Sequence, residues 1–185
     1  PGALGAGRFW LVDPLDGTRS FIARDGQFTV NIALIEHYRP VVGVLMVPAQ
    51  GTLYWGCVGG GAYRQQVGES AATQIRTREP AAEGYDIVTS KSHDSPKTDT
   101  LLAKFRVRSR VKAGSALKLA VVAEGAADIY PRLGATMEWD IAAGHCILEA
   151  AGGCLTTVEG APFRYGKPGY TNGPFIASGR PFALP

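Results

Sequence analysis

Cysteine is scarce. The 185 residues hold three, Cys57, Cys146 and Cys154, with no C-x-x-C pair. So sparse and odd a set fits a reduced, cytoplasmic setting better than a disulfide framework. Charge is thin as well, at 19% of residues, with a net value of +3. The low charged fraction argues against disorder. The mild positive balance tolerates anionic ligands, but no Lys/Arg run is long enough for a nucleic-acid arm. The densest basic stretch, Arg106 to Lys112, alternates like one solvated face of a strand. Long apolar runs are missing too. Pro40 to Tyr63 carries no charge, yet Pro48, Gln50 and six glycines interrupt it. It suits two strands and a turn rather than a transmembrane helix, and no basic-then-apolar leader pattern is present. The G-x-S-x-G elbow, the G-x-x-x-x-G-K-[ST] loop and H-E-x-x-H are all absent. Their absence removes the usual serine-hydrolase, P-loop and zincin readings.

What remains is a chain 45% hydrophobic, rich in glycine (24) and proline (12). Such a chain builds a core from short elements joined by many turns. Strands are expected at 9–12, 28–35, 41–47, 53–58 and 62–65. Their short links imply an antiparallel sheet. The polar stretch 69–84 reads as a boundary, dividing a lobe of residues 1–83 from a lobe of 84–185. Beyond it, strands at 85–89, 105–111, 127–130, 154–158 and 175–178 alternate with helices at 96–105, 115–124 and 138–151. That alternation predicts a mixed sheet layered with helices, an α/β (α+β layered) fold.

The chemistry concentrates in "WLVDPLDGT", residues 10–18. Asp13 and Asp16 follow an apolar strand, with Pro14 stiffening the step between them and Gly17 permitting a tight turn. Two carboxylates so close repel each other unless a positive partner sits between them. A hard divalent cation is the natural partner, and the Leu15 carbonyl offers a third oxygen. Gly17-Thr18 is placed to open a helical turn whose free N–H groups favour a phosphate oxygen. The Thr18 hydroxyl is placed to orient a water. The plainer reading is an Asp-rich turn that caps a helix. Far downstream, "EWDIAAGHCILEAAGG" starts a helix with Asp140 in its first turn. Asp140 is a helix-start carboxylate or a third ligand. His145, five positions on, does not share its face.

"DPLDGT" followed by "WDIAAGHCILEAAGG" resembles the inositol monophosphatase family of Mg²⁺-dependent, lithium-sensitive phosphatases. The similarity covers nearly the whole chain. It implies the inositol-monophosphatase-like sugar-phosphatase fold and two or three Mg²⁺ ions. Asp13, Asp16 and Asp140 would then be metal ligands together with the Leu15 carbonyl, and Gly17 and Thr18 a phosphate-binding and water-orienting pair. The segments "FTVNIALIEHYRPVVGVLMVPAQGTLYWG", "VTSKSHD" and "GSALKLAVVAEGAADIYPRLGATMEWD" resemble the branch acting on 3′(2′),5′-bisphosphate nucleotides, which belongs to sulfur metabolism. That resemblance implies adenosine 3′,5′-bisphosphate as substrate and AMP as product. It makes Ser115, Lys118 and Arg132 nucleotide-binding residues, with Ser90, Lys91 and His93 as weaker candidates. A homodimer, no nucleic acid and no membrane span are the implied partner expectations. Inositol phosphate, another sugar phosphate and NADP remain alternative substrates.

The family pattern also includes a glutamate ligand upstream of the first aspartate, and helices covering the first sheet. Glu36, Glu69, Glu79 and Glu83 do not stand where that glutamate belongs. The 185 residues are therefore expected to bind metal weakly, to turn over little and to expose apolar surface. As given, the chain is also readable as a nucleotide- and metal-binding fragment of weak catalytic power.

Overall fold

The computed structural model describes residues 7–90 and 96–181. The chain enters on β1 (Phe9–Asp16), makes one short helix, α1 (Thr18–Ala23), and continues through β2 (Thr29–Glu36), β3 (Arg39–Val47), β4 (Thr52–Cys57), β5 (Gly61–Gln66) and β6 (Thr73–Ile75). These six strands form one antiparallel sheet in sequence order. Period-two alternation assigns its faces. Leu11, Ala33, Ile35, Leu45, Val47 and Tyr54 are buried on the inner face. Trp10, Val12 and Ile32 point the other way and are exposed.

The second half runs β7 (Tyr85–Ser90), α2 (Pro96–Leu102), β8 (Val107–Ala113), α3 (Leu117–Ala123), β9 (Ile129–Arg132), β10 (Thr136–Met137), α4 (Glu138–Ala150), β11 (Cys154–Thr157), β12 (Thr171–Asn172) and β13 (Phe175–Ser178). Its five-stranded sheet has the order β11-β13-β9-β7-β8, with β7 parallel to β8 and β9 and β13 antiparallel to its neighbours. The mixed sheet expected from the sequence is therefore present. β10 and β12 form a separate two-residue ribbon.

Helix α4 packs on the inner face of the first sheet and against α3. Small residues bring it close. A Cβ on Gly43 of β3 would stand 2.4 Å from the Ala143 carbonyl oxygen, and one on Gly144 of α4 would stand 2.6 Å from Leu119 Cδ1. The "AAG" of α4 thus fixes the depth at which the helix lies, and with it the position of Asp140 in its first turn. His145 is buried, its Nδ1 2.8 Å from the Tyr165 hydroxyl and its Nε2 3.2 Å from Glu149. It belongs to the helix packing.

Three strands lie outside the expected set. β6 falls inside the polar stretch read as a boundary, and only its Ile75 is buried. Pairing with β5 makes it a strand, which is a tertiary effect that periodicity does not carry. β10 and β12, at two residues each, are too short for any periodic signal.

The basic stretch on β8 is more engaged than a solvated face. Arg108 forms a two-pronged ion pair with the buried Asp86, whose carboxylate also accepts from Ser109 and Arg78. Arg78 in turn donates from Nε to Asp128 at 2.8 Å. The Arg108 hydrogen bonds, with Ser109 and Arg78 helping, hold the Asp86 carboxyl well below the usual carboxylate range against the effect of its burial. Unfolded, the group titrates near ~3.9. A depressed folded value adds stability above that pH, and the contribution is lost as pH falls below it. Asp86→Asn is expected to lower Tm by a few degrees at neutral pH. The difference from the parent should shrink as thermal melts are taken below about pH 4. A difference that grows on acidification would contradict the assignment.

Candidate functional site

Asp13 and Asp16 are three residues apart, and in a regular strand that spacing puts side chains on opposite faces. The pairing of β1 with β2 shows how both reach one face. Asp13 is opposite Asn31 and Asp16 is opposite Thr29, so three steps on β1 match two on β2. The extra residue makes an irregularity of the β-bulge kind between Asp13 and Asp16, an interval that includes Pro14, which has no N–H to give to the ladder. The acidic pair therefore sits on a bulged strand end rather than on a free turn.

The third carboxylate arrives from α4. One oxygen from each of Asp13, Asp16 and Asp140 lies within 4.8 Å of the others. The described hydrogen bonds to these groups come from neutral donors. Asp13 Oδ1 accepts the Leu15 N–H at 3.0 Å. Asp16 Oδ2 accepts the Ala116 N–H at 2.6 Å and the Thr29 hydroxyl at 3.3 Å. Asp140 Oδ2 accepts the Met137 N–H at 2.8 Å, closing the first turn of α4. Burial raises the pKa of Asp16, and the nearby Asp13 adds to that. Burial, with Asp16 and Asp13 beside it, pushes Asp140 up to about 6. Three converging hard oxygen donors whose charges disfavour one another are the donor set a divalent cation neutralises. The residues present therefore fit Mg²⁺.

Next to the trio lies an open cavity of about 310 Å³. Gly17, Thr18, Ser90, Ser115, Lys118, Arg132 and Asp140 all line it, so residues separated by up to 123 positions meet there. Gly17 is left-handed (φ 82°, ψ 47°) and leads into α1 without a side-chain cap. Ser115, itself at φ 45°, donates its hydroxyl to the Asp16 carbonyl at 3.2 Å. The Lys118 ammonium is buried, donates to the Ser115 carbonyl at 2.7 Å and stands 5.3 Å from the Tyr130 ring centroid. Burial pushes its pKa down to about 8, against the pull of Asp16 and Asp140. Lys118 is therefore no solvated helix lysine. Lys91 and His93 lie outside the described residues.

Some residues of the site were not read from the sequence. Arg19, Ser20, Tyr130 and Thr136 also line the cavity. Thr29 supports Asp16 from β2. Its signal was present in "FTVNIALI", where Thr29 and Asn31 interrupt the inner, buried face that Ala33 and Ile35 continue.

The sequence profile of the inositol monophosphatase family matches residues 2–180, and the chain belongs to that family. Among curated proteins it is similar to the 3′(2′),5′-bisphosphate nucleotidase CysQ of Escherichia coli K12, at 41% identity over 158 residues. The match covers 85% of this chain and 62% of that protein. The CysQ of Buchnera aphidicola is 39% identical over 173 residues, 92% of this chain and 64% of its own. The crystal structure of CysQ from Bacteroides thetaiotaomicron superposes with a TM-score of 0.83 at 39% identity, covering 94% of this chain and 70% of that one. This chain thus spans about three fifths of the length of the curated relatives. Among the described residues no helix is long and apolar enough to cross a membrane.

Proposed function

We propose that this chain carries the catalytic carboxylates of a Mg²⁺-dependent phosphomonoesterase that converts adenosine 3′,5′-bisphosphate to AMP and inorganic phosphate. The carrying observation is the meeting of Asp13, Asp16 and Asp140 beside a cavity lined by hydroxyl and cationic groups. Relatives named 3′(2′),5′-bisphosphate nucleotidase at about 40% identity support the substrate.

Asp13, Asp16, Asp140 and the Leu15 carbonyl hold the cation. When bound, Mg²⁺, two or three ions by family resemblance, supplies an acidified water and charge stabilisation for the leaving alkoxide. The backbone at Gly17-Thr18 receives an oxygen of the scissile phosphate, and the Thr18 hydroxyl orients the attacking water. Lys118, Arg132 and Ser115 receive the rest of the nucleotide. A second phosphate needs such charge-assisted contacts beyond the metal site. His93 keeps a supporting role in this reading. No side chain serves as a covalent carrier, because the water attacks phosphorus directly.

The test measures phosphate release at millimolar Mg²⁺ from adenosine 3′,5′-bisphosphate, inositol 1-phosphate and NADP in parallel. The bisphosphate is expected to give the highest kcat/KM. A preference for inositol phosphate would reassign the substrate, and nucleotide binding without phosphate release would leave a binding module.

A further inference from the structure

Strand β2 holds one buried polar side chain that no contact explains. Asn31 is 1% exposed, yet neither its Nδ2 nor its Oδ1 has a hydrogen-bond partner. Buried amides are nearly always paired, and leaving one unpaired costs free energy. Were residue 31 only core, a branched apolar side chain such as Ile35 supplies on the same face would serve better.

The register says what Asn31 faces. It lies directly opposite Asp13, so the two side chains share the inner face of the sheet. Directly opposed residues have Cβ atoms roughly 4.5–5.5 Å apart, within reach of an amide and a carboxylate. Two residues earlier on that face, the Thr29 hydroxyl already donates to Asp16. β2 thus presents two polar groups to the two acids of β1, one of them engaged.

We propose that Asn31 is a positioning residue for the carboxylate site, its Nδ2–H donating to Asp13 when the cation is bound and fixing which carboxylate oxygen is offered. Asn31 does for Asp13 what Thr29 does for Asp16. The proposal rests on the reading of Asp13, Asp16 and Asp140 as a metal site. Outer partners of this kind orient metal ligands, and their loss costs affinity without removing the ligand.

The test compares Asn31→Val with Asn31→Thr, two isosteric β-branched replacements that differ by one hydroxyl donor. Mn²⁺ affinity is measured by titration calorimetry or electron paramagnetic resonance, and Tm is recorded in EDTA. Asn31→Val is expected to weaken Mn²⁺ binding about tenfold or more while Tm in EDTA holds or rises. Asn31→Thr should recover part of the affinity. If Val binds Mn²⁺ as tightly as the parent, or Thr no better than Val, the positioning role is overturned while the metal site stands. A parent protein that binds no Mn²⁺ overturns the metal-site reading and this proposal with it.

Discussion

Asp140→Asn is expected to abolish useful cation binding while leaving the helix that carries it intact. The carboxylate does two jobs. It accepts the Met137 N–H at the start of α4, and an asparagine oxygen accepts that bond as well. It also brings the third negative charge into the trio, and there the amide cannot replace it. Burial and the two neighbouring aspartates already disfavour the charged form of Asp140. Neutralising it therefore relieves repulsion in protein stripped of metal. Three outcomes are expected together. Tm in EDTA stays level or rises, Mn²⁺ affinity falls at least about a hundredfold, and phosphate release falls on the order of a thousandfold. Affinity within a few-fold of the parent would remove Asp140 from the site.

Gly17→Ala is expected to be nearly as damaging, by a steric route. Gly17 is held at φ +82°, where a Cβ would lie 1.8 Å from Ser115 Oγ. The left-handed backbone alone costs an alanine about 1–2 kcal/mol. The clash must also push back the turn at 114–116. That turn is braced: the Gly114 N–H donates to the Gln27 side chain at 2.7 Å, and the Ala116 N–H holds Asp16. Displacing it loosens a ligand carboxylate and the wall of the cavity together. The expected result is a Tm lower by several degrees and a kcat/KM lower by about a hundredfold. Ser115→Gly on the same chain removes the clashing hydroxymethyl group and eases the positive φ at 115. It should recover much of the lost Tm, an interaction a double-mutant cycle would register. An unperturbed Gly17→Ala variant would contradict the contact.

Elements with strong periodicity were legible from sequence. Strands β2 to β5 read as apolar runs bounded by turns, and α4 announces itself by an acidic start, an Ala-Ala-Gly run and a Gly-Gly stop. The acidic trio was legible as well, because two short motifs hold all three residues. What escaped depends on pairing across the fold. β6 is a strand because β5 lies beside it. Lys118, between Leu117 and Leu119, was named by resemblance alone, and its burial shows only once the fold closes over it. Arg108 reads as a surface charge until Asp86, 22 residues away, meets it. Thr29 and Asn31 were visible as polar interruptions of a buried face, but their reason lies on another strand.

The register shift between Asp13 and Asp16 makes the spacing between the first two acids a matter of parity. Losing or gaining one residue in that interval would not simply tighten or slacken a loop. It would swing one aspartate through the sheet onto the side that bears Trp10 and Val12, away from Asp140. Both flanking strand segments would still find their neighbours, so the protein would keep its shape and lose its chemistry.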